Sequence, residues 1–181
     1  REGVAVRDAG RGRFRHGGAT VDFRFHTAMK ILAFDPGLAK MAWCLLVPDG
    51  KKFSYQTGLI GKNLDSLNEI VRLAAIRDAV RALLIDKLPN VAAMEGYSWG
   101  SKFKGPTMGE VGGIVKIACH DAGVPLKIVA PTTLKKFVTG NGRSDKAVVR
   151  TKIFSRWKCE FATQDEAEAF AVAQWASKLA V

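Results

Sequence analysis

The sequence predicts an α/β domain, a mixed five-stranded sheet flanked by helices. Three observations point to it. Three short apolar segments open the patterned region with turn residues between them, as antiparallel strands do. Two later strand-like segments each follow a helical pattern, the connection that parallel strands require. The chain then closes on helices, giving the order βββαβαβαα and helices on the faces of the sheet.

The apolar run from Lys30 to Phe34 stops at Asp35-Pro36-Gly37, a strand ended by turn residues. Met41 to Val47 reads as the second strand, and Pro48-Asp49-Gly50 signals a hairpin into the third, Lys52 to Ile60. Ser66 and Glu69 stand at capping-box spacing. Leu67, Ile70, Val71, Ala74, Val80, Leu83 and Leu84 then recur at helical intervals up to Pro89. Val91 to Met94 is a compact strand leading to Glu95, and Gly96 to Gly105 is loop-like. Pro106 suits the first turn of a helix whose Val111, Ile114, Val115 and Ala118 face inward, while Gly109, Gly112 and Gly113 permit close approach of a neighbour. Leu126 to Val129 is the fifth strand. A short helix from Pro131 ends at Gly140-Asn141-Gly142, and another runs from about Asp145 to Trp157. Thr163 and Glu166 form a second capping box for a final helix over roughly 164–179, with Ala167, Phe170, Ala171 and Trp175 inward.

The patterned domain is expected at 29–181. Residues 1–28 carry six Arg, no Lys and five Gly without strand or helix period, and are expected to be a disordered leader or an Arg-rich arm. Glu2, Asp8 and Asp22 and the lack of Ser argue against an organellar signal there. The chain of 181 residues holds 28 Lys and Arg against 17 Asp and Glu, and the excess survives without the leader. An acidic polymer is therefore the first partner to consider, with a solvated basic surface as the plain alternative. Cys44, Cys119 and Cys159 are odd in number and far apart, unlike a disulfide framework or a zinc site, and read as core residues of a cytoplasmic protein in a reducing compartment. No apolar run approaches the roughly 20 residues that span a bilayer, so no membrane role is expected.

Four acids stand at telling positions. Asp35 ends the first strand, Glu95 ends the fourth, and Asp165 and Glu168 lie three apart in the first turns of the last helix, on one face. Each has a structural reading: Asp before Pro-Gly is turn chemistry, Glu95 ends a strand, and acids favour helix N-termini. If strands one and four are neighbours in the sheet, all four acids converge on one spot, which is harder to explain that way. Two carboxylates about 4 Å apart repel by about 4 kcal/mol at an effective dielectric of about 20, whereas a helix dipole returns about 0.3 to 1 kcal/mol. A divalent cation resolves the conflict, and oxygen ligands without nearby His or Cys favour Mg²⁺, or Mn²⁺, over zinc. His16, His26 and His120 are too scattered to supply nitrogen ligands.

Several segments share a resemblance. Ile31-Leu32-Ala33-Phe34-Asp35-Pro36-Gly37 resembles the first catalytic strand of the RuvC family of Holliday-junction resolvases, and Ala93-Met94-Glu95 its second acidic strand. The stretch from Thr132 to Lys146 is similar to that family's basic helix and Gly-x-Gly loop, and Gln164 to Ala171 to its final acidic helix. The pieces keep their order over 29–181. The resemblance implies a ribonuclease-H-like fold and a metal-dependent endodeoxyribonuclease that cuts four-way DNA junctions as a homodimer, in recombination and repair. It implies two Mg²⁺ per site, with Asp35 bridging, Glu95 and Asp165 flanking, and Glu168 as ligand or water orienter. Lys135 and Lys146 align with lysines that serve the family's active site; solvated helix lysines attracted to DNA in general are the alternative. Two departures stand out: Glu168 occupies a position where the family usually has Asp, and Ala42 one where it tends to have Gly.

Tyr97, Trp99, Lys102, Phe103 and Lys104 interleave rings and cations directly after Glu95, a pattern suited to stacking on unpaired bases, or to core packing of one or two rings. Family members place an aromatic wedge in this loop, which favours Tyr97 or Trp99. Lys136 and Arg143 are further candidates for DNA contacts. The rival functions are a ribonuclease-H-like nuclease acting on structured RNA and a catalytically silent junction-binding module. An actin-like phosphotransferase also starts from an Asp-Gly strand, but this chain is short for two lobes.

Overall fold

The computed structural model describes residues 12–16, 19–23, 28–61, 63–97 and 105–179, the first two stretches as backbone alone. Its strands are β1 (Gly12–His16), β2 (Ala19–Phe23), β3 (Ile31–Asp35), β4 (Met41–Asp49), β5 (Lys52–Ile60), β6 (Val91–Glu95) and β7 (Leu126–Val129). The helices are α1 (Glu69–Lys87), α2 (Gly105–Asp121), α3 (Pro131–Thr139), α4 (Lys146–Trp157) and α5 (Gln164–Ser177). Within the segment expected to be a disordered leader or an Arg-rich arm without strand period, β1 and β2 instead pair antiparallel as a two-stranded sheet of their own. The main sheet has the order β5-β4-β3-β6-β7. β3, β4 and β5 are antiparallel neighbours, while β6 runs parallel to β3 and β7 parallel to β6. This is the mixed five-stranded sheet that the pattern predicts.

The central strands are buried on both faces, so their alternation sorts side chains between two cores. Ile31 and Ala33 of β3 and Val91 and Ala93 of β6 belong to one core, with Leu134, Val138, Val149, Ile153 and most of α5. Leu32 and Phe34, with Ala92 and Met94, belong to the other, with Ile76, Val80 and Leu84 of α1 and Val111 and Val115 of α2. The molecule is a sheet between a three-helix layer and a two-helix layer. Asp35 and Glu95 continue the first alternation, which directs both toward the α5 layer at the same end of two neighbouring parallel strands.

Helix α5 lies in the core along much of its length. Ala167, Ala169, Ala171 and Ala173 are small enough for it to lie close on β3 and β4, and Phe170 is enclosed by the rings of Phe53, Tyr55, Trp157 and Phe161. Its start is the expected capping box: Thr163 Oγ1 accepts from the Glu166 amide at 3.2 Å, and Glu166 Oε2 accepts from the Thr163 amide at 2.9 Å.

Helix α1 departs from the expected start and face. Its cap is Asn68, whose Oδ1 accepts from the Ile70 amide at 3.0 Å. Ser66 instead sits in a 3-10 turn, Leu64–Ser66, and donates to the Asn63 carbonyl. The buried stripe is Arg72, Ile76, Val80 and Leu84, and Ile70 is 77 % exposed. Apolar residues surround this helix, so spacing alone did not select the stripe that the sheet covers. The three cysteines are buried and unpaired, as their spacing implies. Among the described residues no helix is long and apolar enough to cross a membrane.

Candidate active site

Asp35 is carried to the end of β3 by the pleat, and Pro36-Gly37 turns the chain immediately beyond it. A Cβ at Gly37 would collide with the Lys40 carbonyl, so this tight return requires glycine. The turn is tied down where the Ala39 carbonyl accepts from the Leu64 amide at 2.8 Å. β4 follows in register, with Ala42 opposite Asp35 and wholly buried, which makes that departure from the family pattern a packing position.

Helix α5 enters the same end of the sheet and brings two acids. Asp35, Asp165 and Glu168 each offer a carboxylate oxygen within 4.8 Å of the others. Glu95 lies outside that trio but lines the same cleft, so the four-acid convergence is a group of three with a fourth beside it. The cleft encloses about 250 Å³ and is bordered by Asp35, Glu95, Tyr97, Lys135, Lys146 and Glu168 among others.

The electrostatics are those of crowded anions. Burial, and then the charges of Glu168, Glu95 and Asp165, hold the Asp35 carboxyl well above the ordinary range, with Lys146 opposing them. Burial and the Glu168 charge push Glu95 up to about 7, against Lys146 and Lys135. Burial works against the charge of Lys146, yet Glu168, Asp35 and Glu95 raise its pKa and keep it an ammonium. Glu168 is 12 % exposed; its Oε1 accepts from Gln164 Nε2 at 2.8 Å and its Oε2 faces Lys146 Nζ at 3.4 Å. Asp165 Oδ2 faces Lys40 Nζ at 2.9 Å.

The candidates therefore separate. Asp35, Glu95, Asp165, Glu168, Lys135 and Lys146 gather at one end of the sheet. Tyr97 joins them on the cleft wall, its ring packed along α2 where Gly109 and Gly112 leave room; Gly112 also faces Met94. Those two glycines thus receive side chains of their own chain, while Gly113 has nothing within 4 Å of its Cβ position. Lys136 and Arg143 do not line the acidic cleft. They border a separate shallow depression with Thr132, Gly140, Asn141 and Gly142. That loop is internally bonded: Thr139 Oγ1 bonds to Ser144 Oγ, and Asn141 Oδ1 accepts from the Arg143 amide. A Cβ at Gly142 would come within 2.8 Å of the Thr132 carbonyl, so the loop folds back on the start of α3. Trp99, Lys102, Phe103 and Lys104 lie outside the described residues.

Lys40 and Gln164 were missed by the sequence reading. Gln164 could have been found, because it lies one helical turn before Glu168 and shares its face. Lys40 carries no periodic signal; its neighbour is the acid of a helix more than a hundred residues later.

The donor set fits a divalent metal. Three mutually close carboxylates offer hard oxygens, and the upward pull on Asp35 and Glu95 marks a shortage of positive charge that Lys146 only partly relieves.

Carboxylates on adjacent strand ends of a mixed sheet, completed by acids from the last helix, define an α/β nuclease of the ribonuclease-H-like class. The family model described as crossover junction endodeoxyribonuclease RuvC matches residues 31–175. RuvC of Paracoccus denitrificans is 31% identical over 148 residues, which are 80% of this chain and 89% of that relative. The chain belongs to the RuvC family of crossover junction endodeoxyribonucleases. Among solved structures, Thermus thermophilus RuvC in complex with a Holliday junction substrate has a TM-score of 0.72 at 22% identity, covering 84% of this chain and 94% of that one. The yeast mitochondrial Holliday junction resolvase has a TM-score of 0.60 at 13% identity, covering 84% of this chain and 81% of that one. At these identities the two structures attest to the fold.

Proposed function

We propose that this protein resolves four-way DNA junctions by metal-dependent phosphodiester hydrolysis, using Asp35, Glu95, Asp165 and Glu168 to hold two Mg²⁺ ions, with Mn²⁺ as a substitute. The observation that carries the reading is the meeting of Asp35, Asp165 and Glu168 within 4.8 Å, in a chain of this family. When bound, the two ions supply an activated water and charge stabilisation for the in-line displacement.

The side chains do the rest. Asp35, on a central strand and within the field of the other three acids, would be the ligand shared by the ions. Glu95 and Asp165 flank it, and Glu168 either ligates or orients the attacking water. Its side chain is one methylene longer than the family's usual Asp, and its carboxylate accepts a hydrogen bond from Gln164. Lys146 and Lys135 border the cleft and offset phosphate charge near the reacting oxygens. Tyr97, and Trp99 and the cations Lys102 and Lys104 just beyond it, offer a stacking surface for unpaired bases at the branch. Lys136 and Arg143 border a depression outside the cleft, where they would meet a duplex arm through its phosphates.

Two opposed strands need two such sites, so the working unit is a homodimer. Its setting is the cytoplasm, and residues 1–28 lie outside the nuclease domain as a leader or arm.

The test is a labelled four-way junction incubated with and without Mg²⁺. Paired symmetric cuts are expected in its presence, and Asp35→Asn should lower the rate by about a thousandfold while the protein stays folded, a loss of about 4 kcal/mol of transition-state stabilisation. Undiminished cutting by that variant overturns the assignment. Preferential cutting of structured RNA would move the substrate class, and junction binding without turnover would make the protein a silent binding module.

A further inference from the structure

Lys40 has a chemistry that the family reading leaves unassigned. Its ammonium lies 2.9 Å from Asp165 Oδ2, one acid of the trio, and its side chain is 40% exposed. It is held there by backbone. The Asp35-Pro36-Gly37 turn returns the chain so tightly that only a glycine fits against the Lys40 carbonyl, and the Ala39 carbonyl is pinned by the Leu64 amide. The turn that delivers Asp35 thus also delivers this cation. Lys146 is its counterpart on the other α5 acid, 3.4 Å from Glu168.

We propose that Lys40 is a positioning residue that competes with the divalent ion for Asp165 and, when displaced from it, binds a phosphate of the DNA strand entering the cleft. The proposal rests on the nuclease reading and assigns a role to a residue outside it. An ammonium in contact with Asp165 Oδ2 sits within a few ångströms of any cation that Asp165 ligates. Like charges at that separation repel, and the lysine stem is long and partly exposed enough to swing away. The site that attracts it next is anionic and arrives with the substrate. Lys40 therefore weakens metal binding in the absence of DNA, and DNA relieves that penalty by drawing the ammonium onto phosphate, coupling the two ligands through one side chain.

The competing explanation is an ordinary surface ion pair with no effect on either ligand. The unsubstituted protein, Lys40→Met and Lys40→Arg are titrated with Mn²⁺ by calorimetry. Junction affinity is then measured across a salt series with Ca²⁺ present. Lys40→Met is expected to bind Mn²⁺ roughly three- to tenfold more tightly than the unsubstituted protein, the opposite of damage to a metal site. It is also expected to bind the junction more weakly, with a salt slope reduced by about one. Lys40→Arg should keep both properties near the original. Unchanged or weaker Mn²⁺ affinity in Lys40→Met, or an unchanged salt slope, overturns the proposal. The unsubstituted protein decides the function separately: if it neither prefers nor cuts a junction, that reading fails, while the metal titration still tests the competition.

Discussion

The two helical layers treat the sheet differently. Helix α5 is enclosed by β3, β4 and neighbouring helices, and its middle from Ala169 to Gln174 is buried at every position. Helix α1 shows the sheet one stripe and leaves Ile70, Val71 and Ile85 in solvent, as α2 leaves Ile117. Two acids of the cleft ride on the enclosed helix, which teaches what the burial does there. A carboxylate crowded by others stays put when its helix is enclosed, so α5 positions the charge while the half-exposed α1 closes the second core.

The comparison breaks most easily at Phe170. Its ring is wholly buried among four other aromatic rings, with centroid distances of 5.0 to 5.7 Å. Phe170→Ala should destabilise the fold by about 3 to 5 kcal/mol in urea unfolding. It should also blunt Mn²⁺ binding, because Asp165 and Glu168 lie within two turns of the cavity. A stable variant with intact metal affinity would show that α5 is not the rigid platform described.

The next effect belongs to pH. Glu95, raised from 4.5 to about 7, binds its proton more tightly in the folded protein than in the unfolded chain. Its contribution is thus fully present below about pH 4.5 and is lost as pH rises through about 7, by up to about 3 kcal/mol. Asp35 acts in the same direction. Without divalent ions, stability should fall across that window. Mg²⁺, which binds the ionised acids, should raise the melting temperature more at pH 7.5 than at pH 5. A Mg²⁺ effect independent of pH would separate the metal from these carboxylates.

A smaller effect is expected where the two α5 acids receive their partners. Gln164→Leu removes the donor 2.8 Å from Glu168 Oε1. A hydrogen bond to a charged group contributes roughly 1.5 to 3 kcal/mol, part of which water replaces here, so Mn²⁺ affinity should drop by roughly three- to tenfold. Affinity unchanged in calorimetry would mean that the longer Glu168 needs no anchor.

The same contrast explains what could be read from the chain. The five strands of the main sheet were legible because turn residues bracket short apolar runs, and the α5 start because Thr163 and Glu166 form a local capping box. That Asp35 and Glu95 end strands was legible, but that β3 and β6 are parallel neighbours in register up to Phe34 opposite Met94, which sets the two acids at one end, came from the structure. Periodicity counts apolar residues and is blind to a buried arginine. Arg72 occupies the inner stripe of α1, and Asn68 rather than Ser66 caps it, because a 3-10 turn intervenes. Contacts across the fold leave no local trace, which is why Lys40 on Asp165 was invisible while Lys146, inside a motif-like stretch, was not.

The smallest expected effect sharpens the comparison from the looser side. Ile70 is 77% exposed and Ile85 is 74% exposed, so replacing either by Ser removes little buried surface. In a monomer the change in unfolding free energy should stay within about 0.5 kcal/mol, against the several lost at Phe170. If the homodimer instead uses this face, the unsubstituted protein will unfold at a temperature that rises with concentration, and Ile70→Ser will lower it most at high concentration. Measuring melting temperature over a hundredfold range of protein concentration separates the two. A flat response, equal for both proteins, leaves α1 as a solvent-facing helix and sends the search for the second subunit elsewhere on the molecule.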